Sequence, residues 1–169
     1  MNSDVFQKKI LPLADKLFRL ALSITGNKQD AEDVVQDVLL KIWNKREIWG
    51  KVDNWEGYCI RSTRNVALDK MELKDNQQLS IPEHFDIKES KADIQSQLEA
   101  EERMSLLEQY IEQLPEKQRT VFLLREIEEM NYKDIALALN ITQEQVKVNL
   151  FRARQKVKEY FENKKSWIE

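Results

Sequence analysis

At 169 residues, with 41% hydrophobic and 34% charged side chains and three each of Gly and Pro, the chain has room for one large or two small domains and the composition of an all-α protein. One cysteine (Cys59) and one histidine (His84) exclude an internal disulfide, a multi-cysteine zinc site and a His-based nucleophile. The net charge of −3 is unevenly spread, with three bases against eight acids from Lys74 to Glu102 and seven bases against three acids from Gln143 to Lys165.

Ile10, Leu13, Ala14, Leu17, Leu20, Ala21 and Ile24 recur at steps of three and four, which predicts one amphipathic helix ended by Thr25-Gly26-Asn27. Asn27 is placed to cap a second helix, with Asp30 in its first turn and Ala31, Val34, Val35, Val38, Leu39, Ile42 and Trp43 on its buried side. After a loop containing Gly50, Trp55 opens a third helix that runs through Tyr58, Ile60, Val66, Leu68 and Met71. Apolar content then falls, and residues 74–97, with Pro82 and an acidic run, read as a flexible linker.

Helical periodicity returns with Leu106, Leu107, Tyr110, Ile111 and Leu114, and Pro115 suits the start of the next helix, which carries Val121, Phe122 and Leu124. Asn131 is a candidate cap for a short helix burying Ile135, Ala136 and Leu139. Asn140-Ile141 makes a tight turn, and Thr142 with Gln145 forms a capping-box pattern that starts another helix. Two short helices joined in this way are a helix-turn-helix. On the second of them Val146, Leu150, Ala153 and Val157 share one face, while Glu144, Lys147, Val148, Phe151, Arg152 and Gln155 share the opposite one. A polar and basic face of this kind suits the major groove of DNA, and it equally suits a solvated bundle helix.

The motifs settle more than the periodicity does. Leu114-Pro115-Glu116-Lys117-Gln118-Arg119, Leu124-Arg125-Glu126, Tyr132-Lys133-Asp134-Ile135-Ala136, Val146-Lys147 and Phe151-Arg152-Ala153-Arg154 resemble region four of extracytoplasmic-function sigma factors of the sigma-70 family. Leu20 to Gly26, Asp30 to Asp37 and Asn65-Val66-Ala67-Leu68-Asp69 resemble region two of the same family. The resemblance implies two small helical domains, region two over residues 5–73 and region four over 98–165, joined by the acidic linker. Its implied partners are core RNA polymerase and promoter DNA, with an anti-sigma factor as a further candidate. It implies neither a cofactor, a metal nor catalysis by the chain itself.

Residue roles follow from the same resemblance. Asp33, Gln36, Asp37 and Leu40 fall on positions that dock on polymerase, off the apolar stripe of the second helix. Trp55, Tyr58, Arg61, Arg64, Asn65 and Lys70 fall on the helix that opens and holds the minus-ten element, where melted bases need stacking surfaces and the backbone needs cations. The loop from Lys51 to Asn54 is the place for a flipped base. Trp55 and Tyr58 also fit as core aromatics. Arg125, Lys147, Val148, Asn149, Phe151 and Arg152 fall on positions that contact the minus-thirty-five element, and Val148 and Asn149 depart from the small polar and basic residues usual there. Val148 suits a thymine methyl group and Asn149 a phosphate. The acidic linker is expected to thread the polymerase interior near the RNA path.

No apolar run approaches the roughly 18 residues that span a membrane, and Met1 to Lys9 lacks an export signal's apolar core, so the expected compartment is the cytoplasm without direct membrane insertion. A stand-alone helix-turn-helix regulator with an N-terminal helical interaction domain is the alternative; it leaves the aromatic and basic third helix without a use.

Overall fold

The structure, a computed structural model, describes residues 2–77, 102 and 106–165. All regular elements among them are helical. The N-terminal module consists of α1 (Asn2–Val5), which continues through a π-helical turn (Phe6–Ile10) and a 3₁₀ turn (Leu11–Leu13), then α2 (Ala14–Thr25), α3 (Lys28–Asn44), a second 3₁₀ turn (Arg46–Lys51) and α4 (Trp55–Gln77). The C-terminal module consists of α5 (106–113), α6 (Glu116–Phe122), a π-helical turn (Leu123–Ile127), α7 (Tyr132–Leu139) and α8 (Gln143–Lys165).

Local chemistry sets most of these boundaries. The Asn27 side chain accepts the Asp30 N–H at 3.1 Å and starts α3, directly after Gly26 turns the chain at φ 69°. Asn131 accepts the Asp134 N–H at 2.8 Å and starts α7. At α8 the Thr142 hydroxyl accepts the Gln145 N–H at 3.1 Å while Gln145 Oε1 accepts the Thr142 N–H at 2.9 Å, a reciprocal capping box. Between α7 and α8 the turn is made by Asn140 in the left-handed region, φ 55°.

Three expectations shift. The helix drawn through Ile10 to Ile24 is divided near Pro12, which lacks an N–H to donate, so the chain passes through π and 3₁₀ turns before α2 begins at Ala14. The third helix buries Cys59, Ile60, Thr63 and Ala67 most completely, each fully inaccessible, while Tyr58, Val66, Leu68 and Met71 are only half-buried. Around Ile60 this stripe is built of the small residues Cys59, Thr63 and Ala67, which lets α4 lie close against α2 and α3. The helix also runs on to Gln77, so Lys74 to Gln77 are helical, and Lys74 forms an ion pair with Asp30. The rest of the expected linker, residues 78–97, and with it the threading expectation, lies outside the described residues.

Leu17, Leu20, Val34, Val38, Ile42 and Ile60 fill the N-terminal core, and Val121, Leu124, Ile135, Val146 and Leu150 fill the C-terminal one. Each such side chain contributes about 1.5–3 kcal/mol on burial. The modules also touch one another, α4 against α7 and α2 against α6.

Candidate polymerase and nucleic-acid interfaces

The outer face of α3 is set by its inner one. With Val34, Val35, Val38 and Ile42 turned inward, Asp33, Gln36, Asp37 and Leu40 all stand exposed, Leu40 at 60%. Gln36 and Leu40 border an open groove of about 650 Å³ that is also lined by Phe6, Leu11, Leu39 and Trp43. An apolar trough rimmed by the amides of Gln7 and Gln36, with Asp33 and Asp37 exposed on the same helix as Gln36, fits an amphipathic partner helix. Sequence reasoning missed the far wall of this groove, because Phe6 and Leu11 belong to a segment whose turn near Pro12 only the folded chain reveals.

The N-terminal half of α4 is anchored by Asn54, whose side chain accepts the Gly57 N–H at 3.0 Å. A Cβ on Gly57 would stand 2.8 Å from Asn54 Nδ2, so a larger residue there would make the Asn54 amide shift. Trp55 is buried at 8% exposure, edge-on to Trp49 and Tyr58 with ring centroids 5.9 and 6.0 Å apart. It stands as a wall of the aromatic cluster, and Tyr58 beside it is half-buried. Cys59 is fully buried, and burial pushes its thiol up to about 12, which favours the protonated form at neutral pH.

The cations of α4 are not free. Arg61 donates from Nη2 to the Leu137 carbonyl and from Nε to the Ala138 carbonyl, the latter at 3.2 Å. Arg64 meets the Glu116 carboxylate as a two-pronged fork, at 2.9 and 2.8 Å. Burial pushes the Glu116 carboxyl up, but the Arg64 fork, the Thr120 hydroxyl at 3.0 Å and the Arg119 charge outweigh it and hold the group below its ordinary value. Lys70 Nζ lies 3.6 Å from Asp33 Oδ2, while Asn65 is exposed.

The helix-turn-helix presents the opposite picture. Val146, Leu150, Ala153 and Val157 are buried and lock α8 in place, which leaves Lys147, Val148, Phe151 and Arg152 exposed together on one face. Asn149 is half-buried and donates from Nδ2 to the Gln145 carbonyl at 2.8 Å, so its amide is partly engaged along its own helix. Arg125, half-buried in the π-helical turn, donates to the Met130 carbonyl at 2.9 Å and lies over the Tyr132 ring at 4.7 Å. Lys147 approaches the same ring at 5.9 Å. Tyr132 therefore links two cations from different helices, a platform that sequence reasoning missed. Its position next to the Asn131 cap was visible in the sequence; its two partners were not.

Comparison with known proteins follows this division. Residues 10–77 match the family model for Sigma-70 region 2, and residues 104–157 match that for Sigma-70, region 4. The ECF RNA polymerase sigma factor SigE of Mycolicibacterium smegmatis is 26% identical over 149 residues, 87% of this chain and 58% of that protein. SigM of Bacillus subtilis, also an ECF RNA polymerase sigma factor, is 28% identical over 144 residues, 84% of this chain and 86% of that one. Among solved structures, the sigma factor RpoE of Bartonella quintana in complex with the anti-sigma factor NepR superposes with a TM-score of 0.69 at 21% identity, covering 93% of this chain and 96% of that one. CnrH bound to the cytosolic domain of CnrY gives 0.68 at 19% identity, covering 95% and 90%.

Proposed function

Because the chain belongs to the extracytoplasmic-function group of sigma-70 RNA polymerase sigma factors, we propose that it binds core RNA polymerase, recognises minus-ten and minus-thirty-five promoter elements and supports transcription initiation in the cytoplasm, catalysing no reaction itself. What supports this most is the presence of both family regions in one chain, in order, over residues 10–77 and 104–157.

On this reading each region has its own role. Asp33, Gln36, Asp37 and Leu40, with the groove wall of Phe6 and Leu11, form the polymerase-docking surface. Tyr58, Arg61, Arg64, Asn65 and Lys70 take the non-template strand, backed by Trp55, with bases against the ring edge and phosphates on the cations. On α8, Lys147 and Arg152 meet phosphates and base edges, Val148 and Phe151 supply apolar contact, Asn149 lies toward phosphate, and Arg125 joins them across Tyr132. An anti-sigma protein is a candidate further partner, since the structurally similar sigma factor RpoE was solved in complex with the anti-sigma factor NepR. Among the described residues no helix is long and apolar enough to cross a membrane.

Run-off transcription with core polymerase and a promoter pool tests the whole reading. The expected result is discrete transcripts that need both proteins and share two upstream elements. Sequence-specific duplex binding by the chain alone, with no core binding and no transcripts, would instead establish a stand-alone regulator.

A further inference from the structure

The exposed face of α8 is apolar at its centre. Val148 is 46% and Phe151 63% exposed, neighbours on the helix surface, and neither belongs to the packed core. The buried stripe of Val146, Leu150, Ala153 and Val157 fixes the roll of the helix, so both side chains point away from the bundle. Lys147 and Arg152 stand exposed to either side of Val148 around the helix. Cations in those places suit the phosphates that rim a major groove, and what lies between them meets the base edges. The nearest amides are turned to their own backbone: Asn149 donates from Nδ2 to the Gln145 carbonyl at 2.8 Å, and Gln145 Oε1 accepts the Thr142 N–H at 2.9 Å. Glu144 and Gln155, the exposed polar residues in line with Val148, lie about one and two turns away along the axis. Opposite a base pair at Val148 the helix therefore offers carbon and not a hydrogen-bonding group.

Among the four bases only thymine presents a methyl group in the major groove, at C5; the other edges offer donors and acceptors that an apolar side chain leaves unpaired. Valine is branched at Cβ and stiff at χ1, so its two methyl groups hold one position instead of yielding to whichever base they meet. We propose that Val148, flanked by Phe151, reads the C5-methyl group of a thymine in the minus-thirty-five element, so that the middle of that element is chosen by apolar contact while Lys147 and Arg152 hold the duplex. The proposal rests on the reading of α8 as the helix that enters the duplex, and deepens it by naming the base and the atom. It also says what Val148 excludes. A guanine or adenine at that position turns its N7 and exocyclic group toward carbon, with water displaced and no hydrogen bond in its place.

The test uses the full chain bound to core polymerase. Duplexes are first selected for binding from a randomised pool. Each thymine in the upstream one of the shared elements is then replaced singly by 2′-deoxyuridine, which removes the methyl group and keeps O4 and the base pairing. The expected result is one thymine, or two neighbouring ones, whose replacement weakens binding about three- to fivefold, the scale of one buried methyl group. Val148→Ala should lose that difference between the thymine and deoxyuridine duplexes. Arg152→Ala should bind both more weakly and keep the difference. Circular dichroism and thermal melting confirm that both variants are folded. An upstream element without a methyl-sensitive thymine overturns the proposal. So does a sensitivity that persists in Val148→Ala, because it then belongs to the DNA or to another side chain. Neither result touches the assignment of α8 to the duplex. Recovery of no shared upstream element removes that assignment, and the proposal with it.

Discussion

The two candidate DNA faces differ in what holds their cations. On α8 and its neighbours the positive groups are arranged by an aromatic ring, with Arg125 and Lys147 sharing Tyr132 and Arg152 free on the exposed face. On α4 they are held by oxygen, from the Glu116 carboxylate and the last carbonyls of α7. A ring orients a cation without taking up its N–H donors, whereas a carboxylate fork fills two of a guanidinium's five; Arg125 combines ring and oxygen, since it also donates to the Met130 carbonyl. Lys147 and Arg152 thus stand exposed on one candidate face, while Arg61 and Arg64 on the other are engaged by oxygen.

The largest effect expected from breaking this contrast comes from the packing beneath the open face. Leu150 is 1% exposed, and Leu150→Ala should destabilise the C-terminal module by about 2–5 kcal/mol. Scanning calorimetry should then show that module melting first while the N-terminal bundle persists; a single shared transition would mean that the contact between modules joins them into one cooperative unit. Next in size is Arg152→Ala, which should cost about 1–3 kcal/mol of duplex affinity and reduce the salt slope by about 1. Arg61→Ala in the free chain should leave duplex binding unchanged, which makes the pair a direct comparison of the two faces by titration at several salt concentrations.

Tyr132→Leu sharpens the point about the ring. Removing the platform should weaken duplex binding by about 0.5–1 kcal/mol, and Tyr132→Phe should restore it, because the contact is with the ring and not the hydroxyl. A Phe variant as weak as the Leu variant would assign the effect to the hydroxyl instead. The smallest effect is the acid response of the occupied face. The folded-state Glu116 carboxyl is held below its ordinary value, so the contribution of the contact is present above the ordinary carboxylate range and lost as pH falls through the lowered value. Around Glu116 the partners are Arg64, Arg119 and Thr120. Scattering between neutral and acid pH should show expansion of the unsubstituted chain, and the Glu116→Gln variant should lack that step.

How much of this was legible in the sequence depends on the range of the interaction. The caps at Asn27, Asn131 and Thr142 act over three residues and stood in the sequence as patterns. The buried stripe of α8 was equally plain, since Val146, Leu150, Ala153 and Val157 are apolar and spaced for one face. The core face of α4 was not, because Cys59, Thr63 and Ala67 are small and a pattern of large apolar residues points to Val66 and Leu68 instead. The exposed candidate docking residues of α3 follow from its inner stripe, yet the groove beside them needs the N-terminal segment with Phe6 and Leu11 folded against it. Least legible were Arg64 with Glu116 and Arg19 with Glu128, pairs between residues far apart in the chain that exist only once the modules meet. Nothing local to an arginine says whether its partner will be a phosphate or a glutamate.

Cys59 gives the molecule a clock. Its thiol is wholly enclosed between α4 and the helices beneath it and is the chain's single cysteine. A small alkylating reagent can therefore reach it only when the N-terminal bundle opens. The labelling rate of the native protein reads out that opening directly, with no dye and no substitution, and its change on adding polymerase would measure how far docking tightens the bundle.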